Sequence, residues 1–177
     1  MAGCVGVEII DGVFTNGEDI IAFLESLDRW ERSLVGENPH QSEVRTSSTI
    51  YMPMLSFQNP PLIHDFAKAV WQCMDNYSLV YQVPYYAHEP ITFNKYEPGQ
   101  HFGEHPDYFK GSDRCVSAVA YLNTVEKGGV TTFPFFDLEV EAVAGRVVIF
   151  PSNFLFRHAG TAPEDTVKYS AAFWARG

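Results

Sequence analysis

The centre of this sequence is the stretch YEPGQHFGEHPD, residues 96–107, which contains the pair His105 and Asp107. In an extended strand, residues two positions apart point to the same face, so this imidazole and carboxylate can reach one point together. A helical alternative, with His101 and His105 binding zinc, is disfavoured because the glycines and Pro106 oppose a helix here. The stretch therefore predicts a strand that presents two metal ligands.

A third ligand has to come from another part of the chain, and His158 is the candidate. It follows the apolar run VVIF at residues 147–150, which predicts a buried strand. Two histidines and one carboxylate on one face of an octahedral ion leave three positions open, as in non-haem Fe(II) oxygenases. A lone histidine beside an apolar strand is more often a packed core residue, so the metal interpretation depends on the residues around it.

Lys168 lies between Val167 and Tyr169 in the last apolar segment of the chain. Buried lysine is costly without a partner, and an anionic ligand would supply one. The alternative, that Lys168 points outward from a two-sided strand, fits the pattern equally well. The hydroxyls of Tyr96 and Tyr121 could bind a carboxylate, although core packing is the more common role of tyrosine.

The composition excludes several classes of function. A chain of 177 residues with 46% hydrophobic residues can form one domain with a packed core. Lys and Arg number 12 against 22 acidic residues, so no nucleic-acid partner is expected. The three cysteines, Cys4, Cys73 and Cys115, predict neither a disulfide framework nor a cysteine zinc site. With no signal peptide and no membrane-spanning run in the pattern, we expect a cytoplasmic protein that has no membrane partner; the pattern does not indicate an oligomeric state.

Apolar periodicity predicts two helices in the first half of the chain. Thr15 and Glu18 form a capping-box pattern before a helical stripe that continues to about Trp30. The prolines of Asn59-Pro60-Pro61 precede a second stripe, residues 62–77, and proline is favoured in a first helical turn.

The remaining pattern is typical of strands. The predicted strands are residues 5–14, 46–54, 90–97, 101–107, 115–124, 130–135, 138–143, 146–151, 155–160 and 167–175. Many short strands separated by turns favour a sandwich or barrel. We therefore predict an α+β fold in a single domain, residues 1–177, with helical support over about 1–87 and a strand core over about 88–177.

These residues resemble the central motif of the prolyl 4-hydroxylases, which are Fe(II)- and 2-oxoglutarate-dependent dioxygenases. The resemblance starts from YEPGQ at residues 96–100 and HPDYF at residues 105–109. The other matches are SEVRTSS at 42–48, YLN at 121–123, Gly128-Gly129 with Thr131, Phe133 and Pro134, and His158 with Lys168 and Trp174. The ordered motifs cover roughly residues 42–177.

The resemblance implies a double-stranded β-helix, a jelly-roll barrel, with iron at one mouth. The implied ligands of Fe(II) are His105, Asp107 and His158. Lys168 would pair with the distal carboxylate of 2-oxoglutarate and Tyr121 would hydrogen-bond it, while Tyr96 would line the cosubstrate or substrate side. O2 is the implied oxidant and ascorbate the implied reductant.

The chain departs from the family pattern around the substrate. Phe102 stands where many members have tyrosine, and Tyr169 stands where tryptophan is common. The loop over residues 110–114 is short. These departures leave the implied iron and 2-oxoglutarate residues in place and bear on the substrate, for which the candidate contacts are Arg45, Tyr108 and Trp174.

Three functions remain open on the sequence. The first is hydroxylation of proline in a peptide or protein, because an extended proline-rich segment fits an aromatic-lined groove. The second is the same reaction on a free amino acid or another small molecule, which the short loop favours. The third is a non-catalytic metal-binding barrel, against which the combination of His105, Asp107, His158 and Lys168 argues.

Overall fold

Two antiparallel β-sheets and two α-helices form the computed structural model of this protein, which describes residues 5–34, 40–53 and 59–177. The helices are α1 (Gly17–Ser26) and α2 (Pro61–Tyr81). The strands are β1 (Glu8–Ile10), β2 (Glu31–Arg32), β3 (Ser48–Met52), β4 (Ala87–His88), β5 (Ile91–Tyr96), β6 (Phe102–His105), β7 (Arg114–Tyr121), β8 (Thr131–Phe133), β9 (Leu138–Val140), β10 (Val147–Pro151), β11 (His158–Gly160) and β12 (Lys168–Arg176). Among the described helices, none is long and apolar enough to cross a membrane.

The larger sheet has eight strands in the order β1-β10-β7-β12-β5-β3-β2, with β4 paired to β12. The smaller sheet has four, in the order β6-β11-β8-β9. Side chains alternate between two apolar cores along the central strands. Along β10, Val147 and Ile149 join the core against the helices, whereas Val148 and Phe150 join the core between the sheets. The ring of Phe133 in the smaller sheet packs edge-on against Phe150, with centroids 4.9 Å apart.

The two predicted helices exist, but their ends differ from the prediction. Helix α1 begins after Asn16, no side chain caps it, and it ends at Ser26, so the capping-box prediction at Thr15 is wrong. Helix α2 begins at Pro61, where the missing N–H costs nothing. It continues to Tyr81 and ends as Gln82 adopts a left-handed conformation, with a φ of 54°.

Several predicted strands are shorter in the structure. Strand β6 ends at His105, not at residue 107, because Pro106 has no N–H to donate to a neighbouring strand. Short 3-10 helices, Pro134–Phe136 and Phe154–Phe156, replace parts of two predicted strands. The short strands β2 and β4 lie outside the predicted segments. Residue 54, the end of a predicted strand, and Cys4 lie outside the described residues.

Candidate active site

The three predicted metal ligands meet at the edge of the smaller sheet. His105, the last residue of β6, lies directly opposite His158, the first residue of β11. Asp107 follows two residues later, beyond Pro106, in a bend. Its two carboxylate oxygens each lie 3.8 Å from the Nε2 atom of one of these histidines, and all three donor atoms lie within 4.8 Å of one another.

Backbone carbonyls fix the tautomer of both imidazoles. The Nδ1 of His105 lies 2.8 Å from the carbonyl oxygen of Gly103, and the Nδ1 of His158 lies 3.0 Å from that of Phe156. A carbonyl oxygen only accepts, so each Nδ1 carries the proton and each Nε2 keeps its lone pair for a metal. Both lone pairs belong to the atoms nearest Asp107.

Burial and neighbouring groups keep His105 and Asp107 in their metal-binding forms. Burial lowers the pKa of His105 well below its ordinary value, and the neighbouring His158 lowers it further. Burial alone would raise the pKa of Asp107, but the adjacent His158 and His105 outweigh it and lower that pKa below its usual range. A neutral imidazole next to an ionised carboxylate is the state that binds a divalent metal at neutral pH.

Lys168 lies in a small cavity beside these ligands. This cavity, about 60 Å³, is lined by His105, Asp107 and His158 as well as by Lys168. Lys168 is 3% exposed, and its amine donates to the carbonyl oxygen of Gly129 at 2.6 Å. The amine therefore points into the protein, which excludes the outward-facing alternative. Burial without a carboxylate partner lowers the pKa of Lys168 to about 7.

Tyr96 and Tyr121 flank the amine of Lys168. Their ring centroids lie 5.5 Å and 5.2 Å from its Nζ atom. Tyr96 lines the small cavity, and its backbone pairs with that of Lys168. The hydroxyl of Tyr121 donates to the Oγ1 of Thr131 at 2.7 Å. Burial raises the pKa of both phenols, so both stay neutral and able to donate a hydrogen bond.

A second, larger cavity of about 460 Å³ opens next to the metal ligands. Its lining includes Arg45 and Trp174, two of the predicted substrate contacts. Tyr108, the third, is half exposed and does not belong to the described lining of this cavity. Apolar and aromatic side chains supply most of the wall: Leu34, Val44, Tyr51, Phe102, Pro106, Phe109 and Trp174.

Arg114, which was not among the residues predicted from the sequence, lines the larger cavity at the start of β7. Its Nε and Nη2 atoms donate to the two carboxylate oxygens of Glu89 at 2.9 Å and 2.6 Å. The guanidinium lies 3.9 Å above the ring of Trp174. The sequence signal for Arg114 was a charged residue at the start of a buried strand. Its partner Glu89 lies 25 residues away, and no local pattern links the two.

Comparison with known proteins agrees with this geometry. A family profile described as the 2OG-Fe(II) oxygenase superfamily matches residues 91–176, a range that holds all three ligands and Lys168. Over residues 91–176 this chain is therefore similar to that superfamily. The protein named probable prolyl 4-hydroxylase 7 of Arabidopsis thaliana is 31% identical over 135 residues, which is 68% of this chain and 39% of the relative. The chain spans between 33% and 39% of the length of the curated relatives it matches.

Solved structures establish the fold. The viral collagen prolyl hydroxylase of Paramecium Bursaria Chlorella virus-1, solved with 2-oxoglutarate, superposes with a TM-score of 0.75 at 20% identity, covering 97% of this chain and 96% of that one. A prolyl hydroxylase from Trichoplax adhaerens, solved with a hypoxia inducible factor peptide, has a TM-score of 0.78 at 16% identity, covering 97% and 83%. The predicted double-stranded β-helix is confirmed, although its described strands form two sheets and not one closed ring.

The residues present fit the metal and cosubstrate that the superfamily name states. Two imidazoles and one carboxylate, with donor atoms within 4.8 Å of one another, form a 2-His-1-carboxylate set suited to Fe(II). The buried amine of Lys168 lies in the cavity next to this set, where a dicarboxylate would place one charged end. Iron would therefore be held by His105, Asp107 and His158, and 2-oxoglutarate by the same centre and Lys168.

Proposed function

We propose that this protein is an Fe(II)- and 2-oxoglutarate-dependent dioxygenase that hydroxylates proline in a peptide or protein. The observation that carries the proposal is the buried amine of Lys168, which shares one cavity with His105, Asp107 and His158. A non-catalytic metal-binding protein would have no use for an unpaired buried amine beside its metal, since that amine costs stability. O2 is the oxidant in this proposal, and ascorbate keeps the iron reduced.

Bound iron and O2 would supply the oxidation, in which 2-oxoglutarate becomes succinate and CO2 while a C–H bond of the substrate becomes C–OH. His105, Asp107 and His158 would hold the iron, and both cavities reach His105 and Asp107. Lys168 orients the cosubstrate through its distal carboxylate, with Tyr96 and Tyr121 excluding water around the amine.

The larger cavity favours a peptide over a free amino acid. A free amino acid carries an ammonium and a carboxylate, and each needs a partner of opposite charge. Arg114 is already ion-paired with Glu89. Every guanidinium nitrogen of Arg45 already donates to a neutral acceptor, among them the amide oxygen of Asn94 at 2.6 Å, so neither arginine offers a carboxylate a nitrogen without a partner. An uncharged stretch of backbone with a proline ring fits the apolar wall better, with Trp174 as a contact for the ring.

We also infer that residues 1–177 act as one catalytic domain in a reducing compartment, the cytoplasm. Val7 and Phe14, near the start of the chain, pack in the same two cores as residues from β10. Cys73 and Cys115, the cysteines within the described residues, are both free.

The test is a pair of synthetic peptides, one with a proline-rich sequence and one with each proline replaced by alanine. Each is incubated with the protein, Fe(II), 2-oxoglutarate, O2 and ascorbate, and free proline is tested in parallel. We expect the proline peptide alone to stimulate succinate release and to gain the mass of one oxygen. Stimulation by free proline and not by peptide would move the assignment to small-molecule hydroxylation.

A further inference from the structure

Phe102 lies between a metal ligand and a buried arginine. Its ring stacks on the imidazole of His105 with centroids 3.6 Å apart and planes inclined by 15°. The Cζ atom of Arg45 lies over the same phenyl ring, 4.6 Å from its centroid. Because the parallel imidazole covers one face of Phe102, the guanidinium lies against the other. The three groups form a stack: guanidinium, phenyl, imidazole.

Arg45 is held in this stack by its own hydrogen bonds. It is 8% exposed. Its Nη2 donates to Asn94 at 2.6 Å and its Nε to the hydroxyl of Ser47 at 3.3 Å. Nη1 donates to the carbonyl oxygen of Leu34 at 3.5 Å. Every nitrogen of the guanidinium therefore has a protein partner, which makes its plane a fixed surface for Phe102.

The backbone around Arg45 is joined to β6. Arg45 and Phe102 form a β-bridge, and the N–H of Gly103 donates to the carbonyl oxygen of Val44 at 2.6 Å. On the other side, the N–H of Thr46 donates to the carbonyl oxygen of His101 at 2.9 Å. The segment that carries Arg45 therefore keeps a fixed register against the strand that carries Phe102 and His105.

The two histidine ligands are supported differently. His158 is 7% exposed and packs inside the core, with the rings of Phe133 and Phe150 at 5.7 Å and 4.7 Å. His105 is 21% exposed. Its hydrogen bond to Gly103 fixes the tautomer and the Nδ1 edge of the ring, and the ring of His158 lies tilted against it with centroids 4.4 Å apart. The parallel ring of Phe102 covers a whole face of the imidazole and so restrains its plane further.

We propose that Arg45 and Phe102 are positioning residues, which hold His105 in the orientation that binds the metal. The proposal rests on the metal site of the proposed function. Neither residue is a ligand, yet the affinity of the site for a divalent metal depends on both. Loss of a group that orients a ligand weakens metal affinity by about 10- to 100-fold.

The test uses Co(II) as a coloured probe, titrated into the protein without cosubstrate and followed by its visible absorption. Phe102→Leu removes the ring at similar volume, and Arg45→Met removes the guanidinium while keeping the alkyl stem. We expect each to bind Co(II) about tenfold more weakly than the native protein. Phe102→Tyr keeps the ring and should bind as the native protein does.

The matched control is Tyr51→Leu, which removes another aromatic ring from the wall of the larger cavity. Tyr51 is 56% exposed. The Co(II) affinity of Tyr51→Leu should equal that of the native protein. Circular dichroism identifies any variant that fails to fold. If Arg45→Met fails to fold, Phe102→Leu alone tests the proposal.

If Phe102→Leu and Arg45→Met both fold and both bind Co(II) as tightly as the native protein, the inference is overturned. If Arg45→Met raises only the KM for the peptide, Arg45 is a substrate contact and not a positioning residue. If the native protein bound no Co(II), the metal site and this inference would both be wrong. Co(II) binding without any succinate release would contradict only the proposed reaction, because the comparison of variants still decides the positioning role.

Discussion

At the scale of single residues, Lys168 has the most demanding environment in the site. Its amine is almost fully buried, with a carbonyl oxygen as hydrogen-bond acceptor and two phenol rings at its sides. No ion pair to Lys168 occurs within the described part of the chain. An ammonium in such a place gains its counter-charge only when an anion binds, so affinity for the cosubstrate should be linked to a proton.

The sign of that linkage follows from the pKa of Lys168, which burial lowers to about 7. Below pH 7 the free protein already carries the proton; above it, binding of a carboxylate must take a proton up. We expect the affinity for 2-oxoglutarate to fall above pH 7, by at most about tenfold per pH unit. Tyr96 and Tyr121 do not interfere, because burial raises the pKa of both.

Calorimetry at pH 8, in two buffers with different heats of ionisation and with a divalent metal present, measures this proton uptake. Lys168→Met should bind 2-oxoglutarate weakly at every pH and show no uptake at this site. A native affinity that stayed constant between pH 7 and pH 9 would contradict the placement of Lys168 against the cosubstrate.

At the scale of elements, the turn before β8 positions the acceptor of Lys168. Gly128 and Gly129 both have positive φ, 68° and 65°. A Cβ atom on Gly128 would lie 2.2 Å from the carbonyl oxygen of Ala162. The N–H of Gly129 donates to that same oxygen at 3.0 Å. The turn thus needs glycine both for its backbone conformation and for its close approach to the segment before β12.

Comparison of Gly128→Ala with Gly111→Ala separates these two requirements. Gly111 also has a positive φ, 88°, but nothing lies within 4 Å of a Cβ added there. Both variants carry the cost of a left-handed alanine, about 1–2 kcal/mol, and Gly128→Ala adds the overlap. We expect Gly128→Ala to lose at least about 1 kcal/mol more in the free energy of unfolding, measured with urea. Equal losses would show that the turn can move away.

At this scale, the sequence predicted where strands occur better than it predicted where they end and how they pair. The apolar runs of β10 and β12 were predictable because they are continuous and mostly buried on both faces. The pairing of His105 with His158 was not, since register depends on contacts between distant segments. Asp107 reached the site by a bend after Pro106, although the prediction kept it on a continuous strand.

At the scale of the whole molecule, the site joins segments that lie far apart in the chain. The ligands come from the end of β6, from the loop after it and from β11 in the smaller sheet, while Lys168 comes from β12 in the larger one. Ordered family motifs predicted these residues and the fold. They could not predict how Arg45, Phe102 and His105 stack, because that arrangement depends on an isolated bridge between the segment of Arg45 and β6 and on no local pattern.

The central proposal is that His105, Asp107 and His158 hold the metal that the oxidation of 2-oxoglutarate by O2 requires. The most direct measurement is succinate release from 2-oxoglutarate by the native protein and by Asp107→Ala, with Fe(II), O2, ascorbate and a proline-rich peptide. We predict that the native protein releases succinate and that Asp107→Ala, while still folded, releases it at least about a hundredfold more slowly. Loss of a group that only orients a ligand costs about 10- to 100-fold, and loss of the ligand itself should cost at least as much. Equal release by both proteins, or none from native protein that has bound Fe(II), would contradict the claim.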